Sequence, residues 1–201
     1  MFSDLLRDDV FRLETARLWL RWPRMADAQC MVRFAGEKQI AEMTASIPHP
    51  YSLSDAEKFI FSCRAGNASG SQIGLVLTRK AKRGEVIGGI GIHETRPDHA
   101  IMGYWLAIPF HGQELMSEAA AALINLAYHA SDLNEIEANS LVENTASRKV
   151  LEKCGFEATG IAQCEHRGKP ESLAKYRLDR ASWETRANAI AHSSADGGAA
   201  A

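Results

Sequence analysis

The sequence predicts a mixed α/β fold of packed layers: one domain, a mostly antiparallel sheet of about seven strands, and helices on its faces. Three observations lead there. Three strand-like runs, 72–79, 85–94 and 100–108, are joined by connections of a few residues, which favours an antiparallel meander. An alanine-rich segment follows at once, with Leu115, Ala119, Ala122, Leu123, Leu126 and Ala130 on one face, and reads as a long helix packed on that sheet. Beyond it a strand, a shorter helix and two closing strands alternate.

Taken in order, Arg17–Trp22 alternates polar and apolar residues and stops at Pro23, as a strand with one buried face does. Ala28, Met31, Val32 and Ala35 recur at helical spacing, with Asp27 as the expected cap and Gly36 as the stop. A second short helix is expected over 37–45. Ile47-Pro48-His49-Pro50-Tyr51 cannot continue it, because each proline lacks a donor and restrains the residue before it. Ser54 and Glu57 have the spacing of a capping box and open a helix to Ala65. After the meander and the long helix come a strand over 135–142, a helix over 145–154, and strands over 156–163 and 173–179. The domain is expected to span 1–183, with 184–201, small and polar, as a tail without regular structure.

Composition narrows the function. Hydrophobic residues make up 46% of the 201 and charged residues 24%, the mixture of a globular chain with a sizeable core. A formal charge of -2 argues against nucleic acid as the general partner, since phosphate binding needs excess Lys and Arg. No run of apolar residues is long enough for a membrane span, and the N-terminal residues show no positive head with an apolar stretch, so a cytoplasmic protein without a membrane partner is expected. The cysteines, Cys30, Cys63, Cys154 and Cys164, show no Cys-x-x-Cys spacing and read as reduced fillers, with no metal site.

The informative stretch is the passage from the strand ending at Ile108, through Pro109-Phe110-His111-Gly112-Gln113-Glu114, into the helix at Leu115-Met116-Ser117. A strand, a glycine-containing turn and a helix N-terminus make an anion site, because first-turn N–H groups lack intrahelical partners and the helix dipole favours negative charge. No Gly-Lys-Ser/Thr follows, which removes a mononucleotide loop, and no Gly-x-Gly-x-x-Gly is present for a dinucleotide fold.

Two further pieces stand around this turn in order: Leu13-Glu-Thr-Ala-Arg-Leu-Trp-Leu-Arg21 before it, and Glu143-Asn144-Thr-Ala-Ser147 running to Leu151-Glu-Lys-Cys-Gly-Phe156 after it. With Tyr104-Trp-Leu and His111-Gly-Gln-x-Leu-Met-Ser-Glu-Ala119, the pattern resembles the GNAT superfamily of N-acetyltransferases, the RimJ/RimL-like subgroup in particular, over 13–180. The resemblance implies acetyl-CoA in the V-shaped opening between the strands ending near Ile108 and Val142. It implies cofactor contacts from Leu106, Ala107, Ile108, His111, Gly112, Gln113, Glu114, Leu115, Met116, Ser117 and Asn144. The N–H groups near Ala107 and Ile108 are expected to face the oxyanion. It also implies direct transfer of the acetyl group to an amine with no metal. The expected acceptor is a protein N-terminal amine or a small-molecule amine, and the expected assembly a monomer or homodimer.

Ser147 is the expected proton donor to the leaving thiolate, with Glu165 as a base candidate. His93 and Glu94 end a strand and are expected at the acceptor cleft, His93 and Tyr51 as substrate contacts and Glu94 as a further acid–base group. Asn144 and Ser147 also have a plainer reading, as a helix cap and a solvated first-turn residue. Glu114 departs from the family, which carries glycine there. It brings a negative charge towards a diphosphate and a Cβ into a conformation that suits glycine. A binding module without turnover therefore stays open as an alternative.

Overall fold

Alternation and register build the sheet. In the computed structural model, which describes residues 2–196, the strands are Arg12–Glu14 (β1), Leu18–Arg21 (β2), Gln72–Arg79 (β3), Lys82–Arg96 (β4), His99–Leu106 (β5), Glu135–Leu141 (β6), Glu157–His166 (β7) and Lys169–Asp179 (β8). They form one sheet in the order β1-β2-β3-β4-β5-β6-β8-β7. Every neighbouring pair is antiparallel except β5 and β6. The helices are Ala28–Ala35 (α1), Lys38–Glu42 (α2), Leu53–Ser69 (α3), Leu115–His129 (α4), Thr145–Cys154 (α5) and Arg180–Asp196 (α6).

The V-shaped opening is written in the pairing. β5 and β6 pair in parallel only over His99–Met102 and Glu135–Ala138. β5 nevertheless stays on β4 to Leu106, and β6 stays on β8 to Leu141. Past Met102 and Ala138 the two central strands therefore part.

Each face of the sheet buries its own cluster. Leu115, Ala119, Leu123, Ile124 and Ala127 of α4 pack on Ile90, Ile92, Ala100, Met102, Ile136 and Ala138. On the other face Met31 and Phe34 of α1, Ile40 of α2 and Ile60 of α3 close over Val76, Val86, Trp105 and Ala107. Among the described residues no helix is long and apolar enough to cross a membrane.

Several local expectations change. The capping box of α3 is Ser52 with Asp55, two residues earlier than Ser54 with Glu57, and α3 runs on to Ser69. Both pairs have the same spacing. Ser52 wins because its backbone is extended and its Oγ accepts from the Asp55 N–H at 3.1 Å. Asp27 does not cap α1, since its carboxylate is taken by Arg21 at 2.7 Å on both oxygens and by the Arg24 N–H at 2.7 Å. The segment 184–196, expected to be irregular, continues α6 instead. Asp179 accepts from the Ser182 N–H at 2.8 Å to start the helix, Trp183 stacks on Tyr128 with centroids 4.9 Å apart, and the alanines that follow favour helix. Residues 197–201 of the expected tail lie outside the described residues.

Candidate active site

The turn between β5 and α4 is built from left-handed residues. A single 3₁₀ turn, Ile108–Phe110, leads to Gly112 at φ 71° and Glu114 at φ 61°, and Glu114 is the N-cap of α4. Glutamate thus adopts the conformation for which glycine is the usual choice. The Glu118 N–H bonds the Glu114 carbonyl at 3.0 Å as the first helical bond, leaving the preceding N–H groups of Leu115, Met116 and Ser117 at the helix mouth.

Braces from distant residues hold this turn. Glu118 accepts from the Arg17 N–H at 2.8 Å and from its Nε at 2.6 Å, and Arg17 also donates to the Gln113 carbonyl at 2.8 Å. His111 Nε2 donates to the Leu106 carbonyl at 2.7 Å, and Gln113 Nε2 to the Pro109 carbonyl at 3.1 Å. The Glu114 carboxylate meets Lys153 of α5, whose hydrogen bond and charge hold its pKa below the ordinary glutamate value. It is therefore ionised at neutral pH and already countered by a cation.

Register decides which backbone groups face the gap. The Ala107 N–H donates to the Ile87 carbonyl at 2.8 Å, so Ala107, expected as an oxyanion donor, is committed to β4. Along an antiparallel strand the polar groups alternate sides, so with Ala107 turned to β4 the N–H groups of Tyr104 and Leu106 turn towards β6. On β6 the Val142 N–H donates to the Ser172 carbonyl at 2.9 Å, and the same alternation turns Asn139 and Leu141 towards β5. Past the last paired residues these groups border a gap that an amide-bearing chain can fill.

Ser147 lies in the first turn of α5, facing this gap. Tyr104 Oη lies 3.0 Å from both its carbonyl oxygen and its Oγ, and burial raises the Tyr104 pKa, so the phenol stays protonated. Asn144 does cap the helix: its Oδ1 accepts from the Ser147 N–H at 3.0 Å. Its plainer reading is thus present.

The acid–base candidates are scattered. Glu94 pairs with Ala100, where β5 and β6 are still joined, which puts it ~13 Å from Tyr104 at about 3.3 Å per residue. It also falls on the face of Ile92, over which α4 packs, and is exposed. His93, opposite Ile101, points to the other face, in line with Gly91 and the exposed Gly103; burial lowers its pKa. Glu165 is exposed near the tip of the β7–β8 hairpin, opposite Pro170. Tyr51 is no open cleft residue. Only 9% of it is exposed, its ring belongs to the cluster under α1 and α3, and burial pushes its pKa up to about 12.

Sequence reasoning missed the hairpin tip. His166 Nε2 donates to the Glu42 carbonyl at 2.9 Å, and Arg167 donates to the carbonyls of Ala41 at 3.1 Å and of Ile47. The tip thus straps the β6–β8–β7 half of the sheet to α2 across the opening. No local signal marks this, because the partners lie 120–126 residues apart.

Residues 17–157 match the family model described as an acetyltransferase (GNAT) domain. The chain is 39% identical over 64 residues to the probable N-acetyltransferase YjcK of Bacillus subtilis (strain 168), covering 32% of this chain and 35% of that protein. It is 31% identical over 105 residues to the putative ribosomal N-acetyltransferase YdaF of the same strain, covering 50% and 57%. The chain thus spans about a third and just over half of the lengths of these curated relatives. The ribosomal L7/L12 α-N-protein acetyltransferase RimL, solved with coenzyme A, superposes with a TM-score of 0.76 at 18% identity, covering 84% of this chain and 98% of that one. At that identity the likeness is one of fold.

Proposed function

The chain belongs to the GNAT acetyltransferase family, and from that membership we propose that it transfers an acetyl group from acetyl-CoA to an amine, the α-amine of a protein N-terminus in particular. The observation that carries the reading is the parting of β5 from β6 directly before a left-handed turn and the mouth of α4. Those two features suit the two halves of one ligand. A diphosphate fits the N–H groups of Leu115, Met116 and Ser117 together with the helix dipole. An arm carrying amides fits the backbone edges at Tyr104, Leu106, Asn139 and Leu141. His111 to Ser117 would hold the diphosphate, with Leu106, Ile108 and Asn144 along the arm.

Bound there, acetyl-CoA supplies a thioester carbonyl. The N–H groups of Tyr104 and Leu106 are the donors placed for the negative charge that develops on its oxygen, held by the sheet before any reaction begins. Ser147 Oγ, oriented by Tyr104, would pass its proton to the departing sulfur and be reprotonated by the proton that the attacking nitrogen sheds as it becomes the amide, through water, so that no alkoxide remains. The acceptor reaches the carbonyl from the face of Gly103 and His93, beneath the strap at Arg167. An α-amine has a reference pKa near ~8 and is about a tenth neutral at pH 7, so the reaction asks for little basic assistance; His93 is the candidate on that face, while Glu165, opposite Pro170, falls in register on the face of Ala174. The names of YdaF, a putative ribosomal N-acetyltransferase, and of RimL, a ribosomal L7/L12 α-N-protein acetyltransferase, favour a protein acceptor.

The test is release of free thiol from acetyl-CoA in the presence of short peptides. A peptide with a free N-terminus is expected to be acetylated at the α-amine, and the same peptide with a blocked N-terminus and a free lysine is not. Turnover only with a polyamine or aminoglycoside would replace the peptide acceptor by a small amine, and no turnover together with tight coenzyme A binding would favour a binding module.

A further inference from the structure

Three cations among the described residues have contacts that reach the turn before α4: Arg79 lies over the Phe110 ring at 4.8 Å, while Arg17 and Lys153 meet its polar groups and differ in what they are free to do. The guanidinium of Arg17 is spent on Glu118 and on the Gln113 carbonyl. The ammonium of Lys153 meets Glu114 and, among the described residues, no other hydrogen-bond partner. Lys153 sits in the last turn of α5, which is tied to the first turn of α4: Cys154 Sγ lies 3.8 Å from the Ser117 carbonyl it donates to. Both members of the pair have 59% of their side chains exposed, so solvent screens the pair and little opposes a change of partner.

Charge at this point is unbalanced without the lysine. A diphosphate beside the ionised Glu114 would crowd negative groups at a helix terminus that offers about half a positive charge. An ammonium has three N–H donors, of which one is enough for the carboxylate.

We propose that Lys153 is a ligand-binding residue of the diphosphate turn and that Glu114 is the residue that positions it, the carboxylate keeping one N–H while the others meet the phosphate. The inference rests on the reading that an acyl-CoA binds at this turn. It gives Glu114, the departure from glycine, a purpose: it presents a cation at the helix mouth, where glycine would present only backbone.

The experiment is titration calorimetry with 3′-dephospho-coenzyme A, which keeps the diphosphate and lacks the other phosphate, on the wild type, Lys153→Met, Lys153→Arg, Glu114→Gln and the Glu114→Gln/Lys153→Met double variant. Lys153→Met is expected to weaken binding about tenfold, Lys153→Arg to restore most of it, and the loss to shrink as salt is raised. The deciding comparison is made in the Glu114→Gln background. There Lys153→Met should still cost several-fold, since the phosphate contact is lost whether or not a carboxylate is present. If the effect of Lys153→Met vanishes in that background, Lys153 only neutralises Glu114 and the inference is overturned while the acyl-CoA site stands. If the wild type binds neither this probe nor coenzyme A at millimolar concentration, the acyl-CoA reading itself falls and takes the inference with it.

Discussion

Replacing Asp27 by alanine is expected to be among the most damaging single changes outside the catalytic cleft. Its carboxylate holds the Arg21 guanidinium through two bonds of 2.7 Å and accepts a third from the Arg24 N–H at 2.7 Å. The two side chains are 5% and 10% exposed. Removing one partner of a buried pair leaves the other charged and unsolvated, a loss of about 3–5 kcal/mol. At roughly 2–4 °C per kcal/mol for a chain of this size, the melting temperature should fall by roughly 6–20 °C. The damage reaches the active site by a short route. Asp27 anchors the start of α1, and Phe34 of that helix packs edge-on against Phe110 of the turn before α4 at 6.3 Å. Urea unfolding followed by circular dichroism, wild type against Asp27→Ala, measures the loss, and Asp27→Asn, which keeps an acceptor, should lose less. A loss below about 1 kcal/mol for Asp27→Ala would refute the reasoning, because it would mean the pair is wetter and weaker than its burial implies.

Ser147→Ala is expected to lower kcat by about a hundredfold with coenzyme A affinity unchanged, and Tyr104→Phe to lower kcat less while costing about 1 kcal/mol of stability for the lost hydrogen bond; steady-state rates and calorimetry separate the two effects. Arg167→Ala should speed hydrogen exchange at 41–48 and 166–169 together, since the strap joins those segments, and unchanged exchange in either would remove the strap. Burial pushes the thiols of Cys154 and Cys63 up to about 11 and about 12, from 9.0 in the unfolded chain. The folded state therefore holds protons that the unfolded state releases, and the urea midpoint should fall as the pH climbs from 9 towards 11, a slope that Cys154→Ala and Cys63→Ala should reduce. For His93 the folded pKa is lowered by burial, so stability should drop as the pH falls below the unfolded value of 6.5, an effect His93→Gln should abolish.

Periodicity and turn chemistry are local, and what they govern is legible in the sequence. The helix over 145–154 and the strand over 72–79 are readable to the residue, and the long helix and the other strands to within a few positions, because apolar spacing and capping residues act over one or two turns; the exception is β1, three residues too short to show a period. The turn before α4 is legible for the same reason: Gly112 and the helix that follows announce a left-handed turn and an unpaired helix mouth. The resemblance to acetyltransferases rested on such short segments standing in order.

Which side chains meet depended on register and strand order, and these are long-range. Glu94 looked like a cleft residue until its pairing with Ala100 put it before the splay and on the face of α4. Ala107 looked like an oxyanion donor until the alternation along β5 turned its N–H to Ile87 and left the gap to Tyr104 and Leu106. Strand periodicity of two makes each such assignment depend on a single residue of register, which no local pattern carries. The same holds for partners brought together across the chain: Arg17 with Glu118, Lys153 with Glu114, and Arg167 with the carbonyls of Ala41 and Ile47. The sequence by itself determined the family, the kinds of elements and the place of the turn. The tertiary structure decided which charges face that turn and which atoms border the gap, because only packing the halves of the sheet around α4 brings residues tens of positions apart within bonding distance.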